Sequence, residues 1–161
     1  MRKYLRYWLV ILLLACSSRP ELIGSYIGKV VGVKDGDTVV VLFNGIAQTI
    51  RLQGIDCPEK RQAFGKQAKQ FTALFCYGKE ATIQSDGEKD RYKRIIAEVI
   101  VDGKSLNEEL LKAGLAWHYT KYSSDSHLAE LESNAKRQGI GLWADSNPIA
   151  PWEFRGNKFR K

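Results

Sequence analysis

The sequence predicts an α+β domain in which five strands form a small β-barrel and three α-helices are inserted into it or follow it. Three observations carry that expectation. Apolar runs rich in valine and isoleucine recur between turns marked by glycine, aspartate and asparagine. Other segments place apolar residues three and four apart, the period of a helix. One such helix falls after the third strand and two after the fifth. At 161 residues the chain is one ordinary domain, long enough to bury a single core without disulfide staples.

Taken in order, "YIGKVVGV", "TVVVLF" and "IAQTIRLQGI" are strands separated by the turn signals "KDGD" and "NG", an antiparallel meander. The spacing of Phe64, Ala68, Phe71 and Phe75 predicts a helix over Ala63 to Tyr77, stopped by Gly78. "EATIQSD" and "RIIAEVIVDG" supply the fourth and fifth strands. In "SLNEELLKAG", Ser105 and Glu108 have the spacing of a capping box and Gly114 is the stop. The last helix runs from about Asp125, turns Leu128, Leu131 and Ala135 inward, and closes at Gly139. This order predicts a five-stranded barrel of the oligonucleotide-binding (OB-fold) type.

The N-terminus reads as an address. Arg2, Lys3 and Arg6 precede the apolar run "WLVILLLA", which is shorter than the ~20 residues needed to span a bilayer. "LLAC" resembles the lipobox of bacterial lipoproteins. Residues 1–15 are therefore expected to be a signal peptide, with Cys16 lipidated, residues 16–24 a tether and residues 25–145 the folded domain. A plain secretory signal is the other reading; either exports the chain to the cell envelope, and the first anchors it to a membrane. The formal charge is +7, but the first fifteen residues hold three of the 25 basic side chains and no acid, leaving 22 against 18, or +4. That excess favours a polyanion without requiring one. Outside the cytoplasm Cys57 and Cys76 are free to pair, and the sequence leaves open whether they do. His118 and His127 show no ligand spacing with the cysteines and read as surface or packing residues. Nothing in the sequence calls for more than a monomer.

"RLQGIDCPEK" carries the densest chemistry. With Arg51 near the end of the third strand, the following loop presents Asp56, the carbonyl of Cys57 and Glu59 at the barrel mouth. The "DGDT" turn offers Asp37 to the same place. Two aspartates and a carbonyl are an all-oxygen set suited to calcium or magnesium. Glu59 is placed to act on a water beside such a cation, and Arg51 offers a planar fork to a phosphate. Each motif alone has a plainer reading as a turn, an ion pair or a solvated face.

Together, "DGDT", "RLQGIDCPE", "DRYKR" and "NEELLKAGLAW", in this order, resemble the staphylococcal nuclease (thermonuclease) family over roughly Ser25 to Trp143. The resemblance implies a calcium-dependent hydrolase cutting the phosphodiester bonds of DNA and RNA. It implies that Asp37, Asp56 and the Cys57 carbonyl bind calcium, that Glu59 orients or deprotonates the attacking water, and that Arg51 and Arg94 hold the phosphate. It further implies that Asp90, Arg91 and Tyr92 contact the nucleotide. Two positions depart from the family: Cys57 stands where threonine is usual, which a backbone ligand tolerates, and Lys93 where glycine is usual, which bears on the aim of Arg94. Tyr119 and Tyr122 are candidates for stacking on a nucleoside. The tail, residues 146–161, is basic and aromatic; its tryptophan and phenylalanine are candidates to dock on the barrel, and its last cations to add non-specific nucleic-acid affinity. The competing reading is a non-catalytic nucleic-acid-binding OB-fold lipoprotein.

Overall fold

The barrel closes through one parallel seam. In the computed structural model, which describes residues 23–158, β1 (Ile23–Asp35), β2 (Thr38–Phe43) and β3 (Ile46–Leu52) form the expected antiparallel meander. β3 then meets β6 (Ile95–Val101) in parallel, pairing Ile50, Arg51 and Leu52 with Ile95, Ile96 and Ala97. β5 (Glu80–Asp86) pairs antiparallel with both β6 and β1 and completes the ring. β4 (Ile55–Asp56) leaves the barrel to pair with β8 (Trp117–His118), and β7 (Lys104–Ser105) extends the edge of β6. The Cys16 lipidation site and the signal segment lie outside the described residues, and β1 starts at Ile23, inside the segment read as a tether.

Alternation along the strands fills the barrel. β6 reads buried at every second position, and Val30, Val39, Val41, Ile50, Ile83 and Val99 are wholly shielded from solvent. β1 carries register shifts between Val30 and Gly32 and between Val33 and Asp35, and such irregularities bend a strand and re-aim its last side chains. Here the strand's end brings Asp35 to the barrel mouth beside Asp37.

Among the described residues four α-helices surround the barrel, one more than expected. α1 (Gly65–Cys76) lies within the predicted span, with Phe71 and Phe75 packed against the core. α2 (Leu106–Lys112) starts at Ser105, whose hydroxyl accepts from the Glu108 amide, and buries Leu106, Leu110 and Leu111. α3 (Ser126–Gln138) starts where Asp125 Oδ1 accepts from the amides of His127 and Leu128, and ends on Gly139 in the left-handed region. α4 (Pro151–Lys158) is the unexpected helix, made from the tail. Its apolar residues are too few to announce a helix by period; Pro151 supplies the start, as proline does at a first helical position.

Both histidines are structural. His118 is buried, its Nε2 3.1 Å from Ser123 Oγ, and His127 lies 3.5 Å from Glu108. Cys57 and Cys76 are both buried free thiols. Burial pushes the Cys76 thiol up to about 11, so it stays protonated and packs as a small apolar group.

Candidate active site

One unbroken chain of polar contacts crosses the barrel mouth and joins six sequence-predicted residues that lie far apart in the chain. It begins at Asp90, whose Oδ2 accepts from Arg94 Nε at 2.6 Å. Arg94 Nη1 reaches Thr38 Oγ1 at 3.1 Å, and that hydroxyl donates to Asp37 Oδ1 at 3.2 Å. Asp37 is ion-paired to Arg51 Nη1, and Arg51 Nη2 bonds Asp56 Oδ1 at 2.7 Å. Asp56 Oδ2 accepts from Arg155 Nη2 at 2.7 Å, and Arg155 Nη1 bonds Glu59 Oε1 at 2.7 Å.

Local chemistry fixes each position. Asp37 follows Gly36 in the β1–β2 turn, where a side chain is impossible: an added Cβ would sit 2.8 Å from the Cβ atoms of both Ala68 and Cys57. The Gly36 carbonyl accepts from buried Thr72 Oγ1 at 2.6 Å, so α1 clamps the turn. Asp37 Oδ2 accepts the Cys57 amide at 2.7 Å, locking this turn to the loop after β4. Asp56 closes β4 opposite Trp117 and is 1% exposed. Glu59 is fixed by its backbone: its amide donates to Gln62 Oε1, its carbonyl accepts the Gln62 amide, and Gly65 packs so closely that a Cβ would lie 2.0 Å from that carbonyl oxygen.

The electrostatics follow from burial and pairing. Burial alone would raise Asp37, but the Arg51 charge and the Cys57 N–H outweigh it and hold the carboxyl below its usual range. Asp56 is raised by burial, with the hydrogen bond to Arg155 and the Arg51 charge pulling against that rise. Asp35 is pushed up to about 6, first by burial and then by the neighbouring Asp37 charge. Its Oδ1 is buried with no hydrogen-bond partner among the described residues. Arg51 stays charged, because Asp37 and Asp56 outweigh its desolvation.

This donor set suits a hard divalent cation. Setting aside the Asp90–Arg94 pair, the cluster holds four carboxylates (Asp35, Asp37, Asp56 and Glu59) against the guanidiniums of Arg51 and Arg155. Two negative charges remain, which one divalent cation neutralises. The orphaned Asp35 oxygen, beside like-charged Asp37, is the kind of atom such an ion satisfies. Among the described residues no three acid, histidine or cysteine side chains stand arranged as a ready cage. Arg51 bridges Asp37 and Asp56 instead.

The "DRYKR" loop is aimed by Asp90. Its Oδ1 accepts the amides of Tyr92 and Arg94, and its Oδ2 takes the Arg94 guanidinium, so its acceptor capacity goes into shaping the loop. Tyr92 is 64% exposed, with Arg91 and Arg94 over its ring at 4.8 and 5.4 Å. Lys93 adopts φ 62°, the left-handed conformation for which glycine would be chosen. The lysine accepts this strain and Arg94 still reaches Thr38. Lys93→Gly is therefore expected to stabilise the protein by about 1 kcal/mol in urea unfolding, leaving activity unchanged.

Three residues at the site escape the motif reading. Asp35, beside the network, is the first acid of "DGDT", hidden by its other use as a turn residue. Thr38 is the last residue of that motif, hidden among strand residues. Arg155 lies in the tail, where only its charge was legible. Of the two stacking candidates, Tyr119 packs face to face with Trp152, centroids 5.2 Å apart and planes within 5°, while Tyr122 is 71% exposed and stands edge-on to Tyr119.

Comparison with known proteins shows the family. Residues 49–145, more than half of the chain, match the family described as "Staphylococcal nuclease homologue". An "Uncharacterized endonuclease" of Escherichia coli is 38% identical over 159 residues, covering 98% of this chain and all of that protein. An "Uncharacterized endonuclease" of Haemophilus influenzae is 42% identical over 128 residues, 79% of this chain and 71% of its own. A "Micrococcal nuclease" of Shigella flexneri is 36% identical over 139 residues, 80% of this chain and 79% of its own. The chain belongs to the staphylococcal nuclease homologue family.

Proposed function

We propose that the protein is an exported, calcium-dependent nuclease that hydrolyses phosphodiester bonds of DNA and RNA, working as a monomer held at a membrane by lipid on Cys16. The observation that carries the catalytic reading is the continuous network from Asp90 to Glu59, which gathers three arginines and the carboxylates at one barrel mouth. Asp37, Asp56 and the Cys57 carbonyl would hold calcium, with Asp35 close behind them. When bound, the ion supplies positive charge to a phosphate oxygen.

The chain's own groups do the rest. Glu59, 39% exposed, takes the proton of the attacking water as its oxygen bonds to phosphorus. The ester P–O bond breaks and the leaving sugar oxygen takes up a proton from solvent water. Charge builds on the non-bridging oxygens, so the Arg51 and Arg94 guanidiniums bind the transition state more strongly than the ground state. Tyr92 and Arg91 present an exposed ring and a cation to the adjacent nucleotide, on a loop that Asp90 holds in shape.

The test is cleavage of single-stranded DNA and of RNA by the full chain in detergent, in calcium and in excess chelator. Cutting in calcium that stops in chelator is the expected result. A folded protein that binds single-stranded DNA yet leaves it intact in calcium would sink the catalytic reading in favour of a binding module.

A further inference from the structure

The C-terminal helix reaches the site by its own route. Trp152 stacks on Tyr119 and stands edge-on to Trp117 at 5.6 Å, Ala150 and Pro151 are buried, and Gln62 Nε2 donates to the Ile149 carbonyl at 2.6 Å. α4 is therefore docked by aromatic and backbone contacts that do not involve Arg155. From this anchored helix the Arg155 side chain, 38% exposed, extends to the two acids that flank the site. Its Nη2 meets Asp56 Oδ2, and its Nη1 meets Glu59 Oε1 at 2.7 Å and Asp56 Oδ1 at 3.4 Å. It thus offers a planar fork to two oxygens at once, the arrangement with which a guanidinium grips a phosphate.

We propose that Arg155 is a substrate-binding residue of the active site, carried in by α4, which rests on Asp56 and Glu59 until a divalent cation and a nucleic-acid phosphate take those partners' place. The inference rests on the nuclease reading above. Asp56 in this structure is committed to Arg51 and Arg155 together, and it cannot serve a divalent cation with the same lone pairs. With Asp56 engaged by a divalent cation, Arg155 would be free at the solvent-facing edge of the site, still charged and still tethered by its helix. The scissile phosphate is the anion that enters there. A long side chain on an independently docked helix makes this exchange without moving the backbone.

The experiment compares full-length wild type, Arg155→Gln and Arg155→Lys in detergent. Calcium affinity is measured calorimetrically without nucleic acid, and kcat and KM are measured on single-stranded oligothymidylate. Arg155→Gln is expected to bind calcium about tenfold more tightly, because a competing positive charge is gone. Its kcat/KM is expected to fall about a hundredfold, because a donor to the phosphate is gone. Those opposite signs separate a substrate contact from a structural staple, whose loss would weaken both. Unchanged or faster cleavage by Arg155→Gln overturns the inference, the faster case making α4 an inhibitory plug. If circular dichroism shows Arg155→Gln unfolded, Arg155→Lys decides: kcat/KM at the wild-type level overturns the inference, and a loss with calcium binding no weaker supports it. Failure of the wild type to cut sinks the nuclease reading and this inference with it. Cutting by wild type with an indifferent Arg155→Gln sinks the inference alone.

Discussion

Replacing Arg51 with alanine is expected to cost about 3–5 kcal/mol of stability in chelator at pH 8, besides about two to three orders of magnitude in rate. Arg51 is the joint of the charged network, ion-paired to Asp37 and bonded to Asp56 at 2.7 Å. Without it both carboxylates stay buried, Asp37 with only an amide and a hydroxyl, Asp56 with only Arg155. Removing one partner of a buried pair leaves the other charge uncompensated, which costs more than the pair contributes. The pH dependence follows from Asp37. In wild type its folded value lies below its unfolded value, so its contribution is present above the unfolded value, roughly pH 4, and fades as pH falls through the folded one. In Arg51→Ala the burial of Asp37 is opposed only by the Cys57 N–H and neighbouring hydrogen bonds, so its carboxyl rises from its wild-type position and the deficit is largest at neutral and alkaline pH and shrinks in acid as the carboxyl protonates. Urea unfolding at pH 8 and pH 4 reads both. A deficit that stays the same at the two values would mean that Arg51 stabilises by packing alone. If Asp37 and Asp56 hold calcium as proposed, adding it recovers more stability in the variant than in wild type, since the ion supplies the missing positive charge.

What the sequence made legible divides along physical lines. The barrel strands were legible because residue alternation and turn residues report local geometry directly: "DGDT" had to turn, and β6 had to bury every second side chain. The cap at Ser105 was legible for the same reason, being a local hydrogen bond, and the last helix was read from about Asp125, the residue that caps it. The closing pair between β3 and β6 was not, because parallel register is set by residues some 45 positions apart, as Ile50 and Ile95 are. In the site, Asp37, Arg51, Asp56 and Glu59 stood out because acids and an arginine crowd two neighbouring loops, and the structure brings them together through Arg51 and Arg155. Arg155 was missed because its place depends on Trp152 finding Tyr119, a contact that leaves no periodic trace in sequence. Lys93 shows the reverse case: its departure from glycine put the aim of Arg94 in question, and the backbone absorbs it at φ 62°.

Glu59→Gln is expected to lower kcat by about two to four orders of magnitude while leaving the protein folded, with stability within about 0.5 kcal/mol of wild type. The two effects separate because of how Glu59 is held. Its position is set by backbone contacts with Gln62 and by Gly65 lying against its carbonyl, none of which uses the carboxylate. The carboxylate itself contacts only Arg155 among the described residues and is partly open to solvent. An amide of the same shape keeps the loop in place and still accepts from Arg155, but it cannot take a proton from water. A drop in kcat with little change in KM would mark the loss of a group that acts in the transition state. Glu59→Asp refines the result: it keeps the base and withdraws it by one methylene, and a misplacement of about 1 Å costs about a hundredfold. Aspartate should therefore fall between wild type and glutamine. If glutamine retained more than a tenth of wild-type kcat, the base would have to be sought elsewhere at the site, with Asp35, whose buried Oδ1 lacks a hydrogen-bond partner, the first to test.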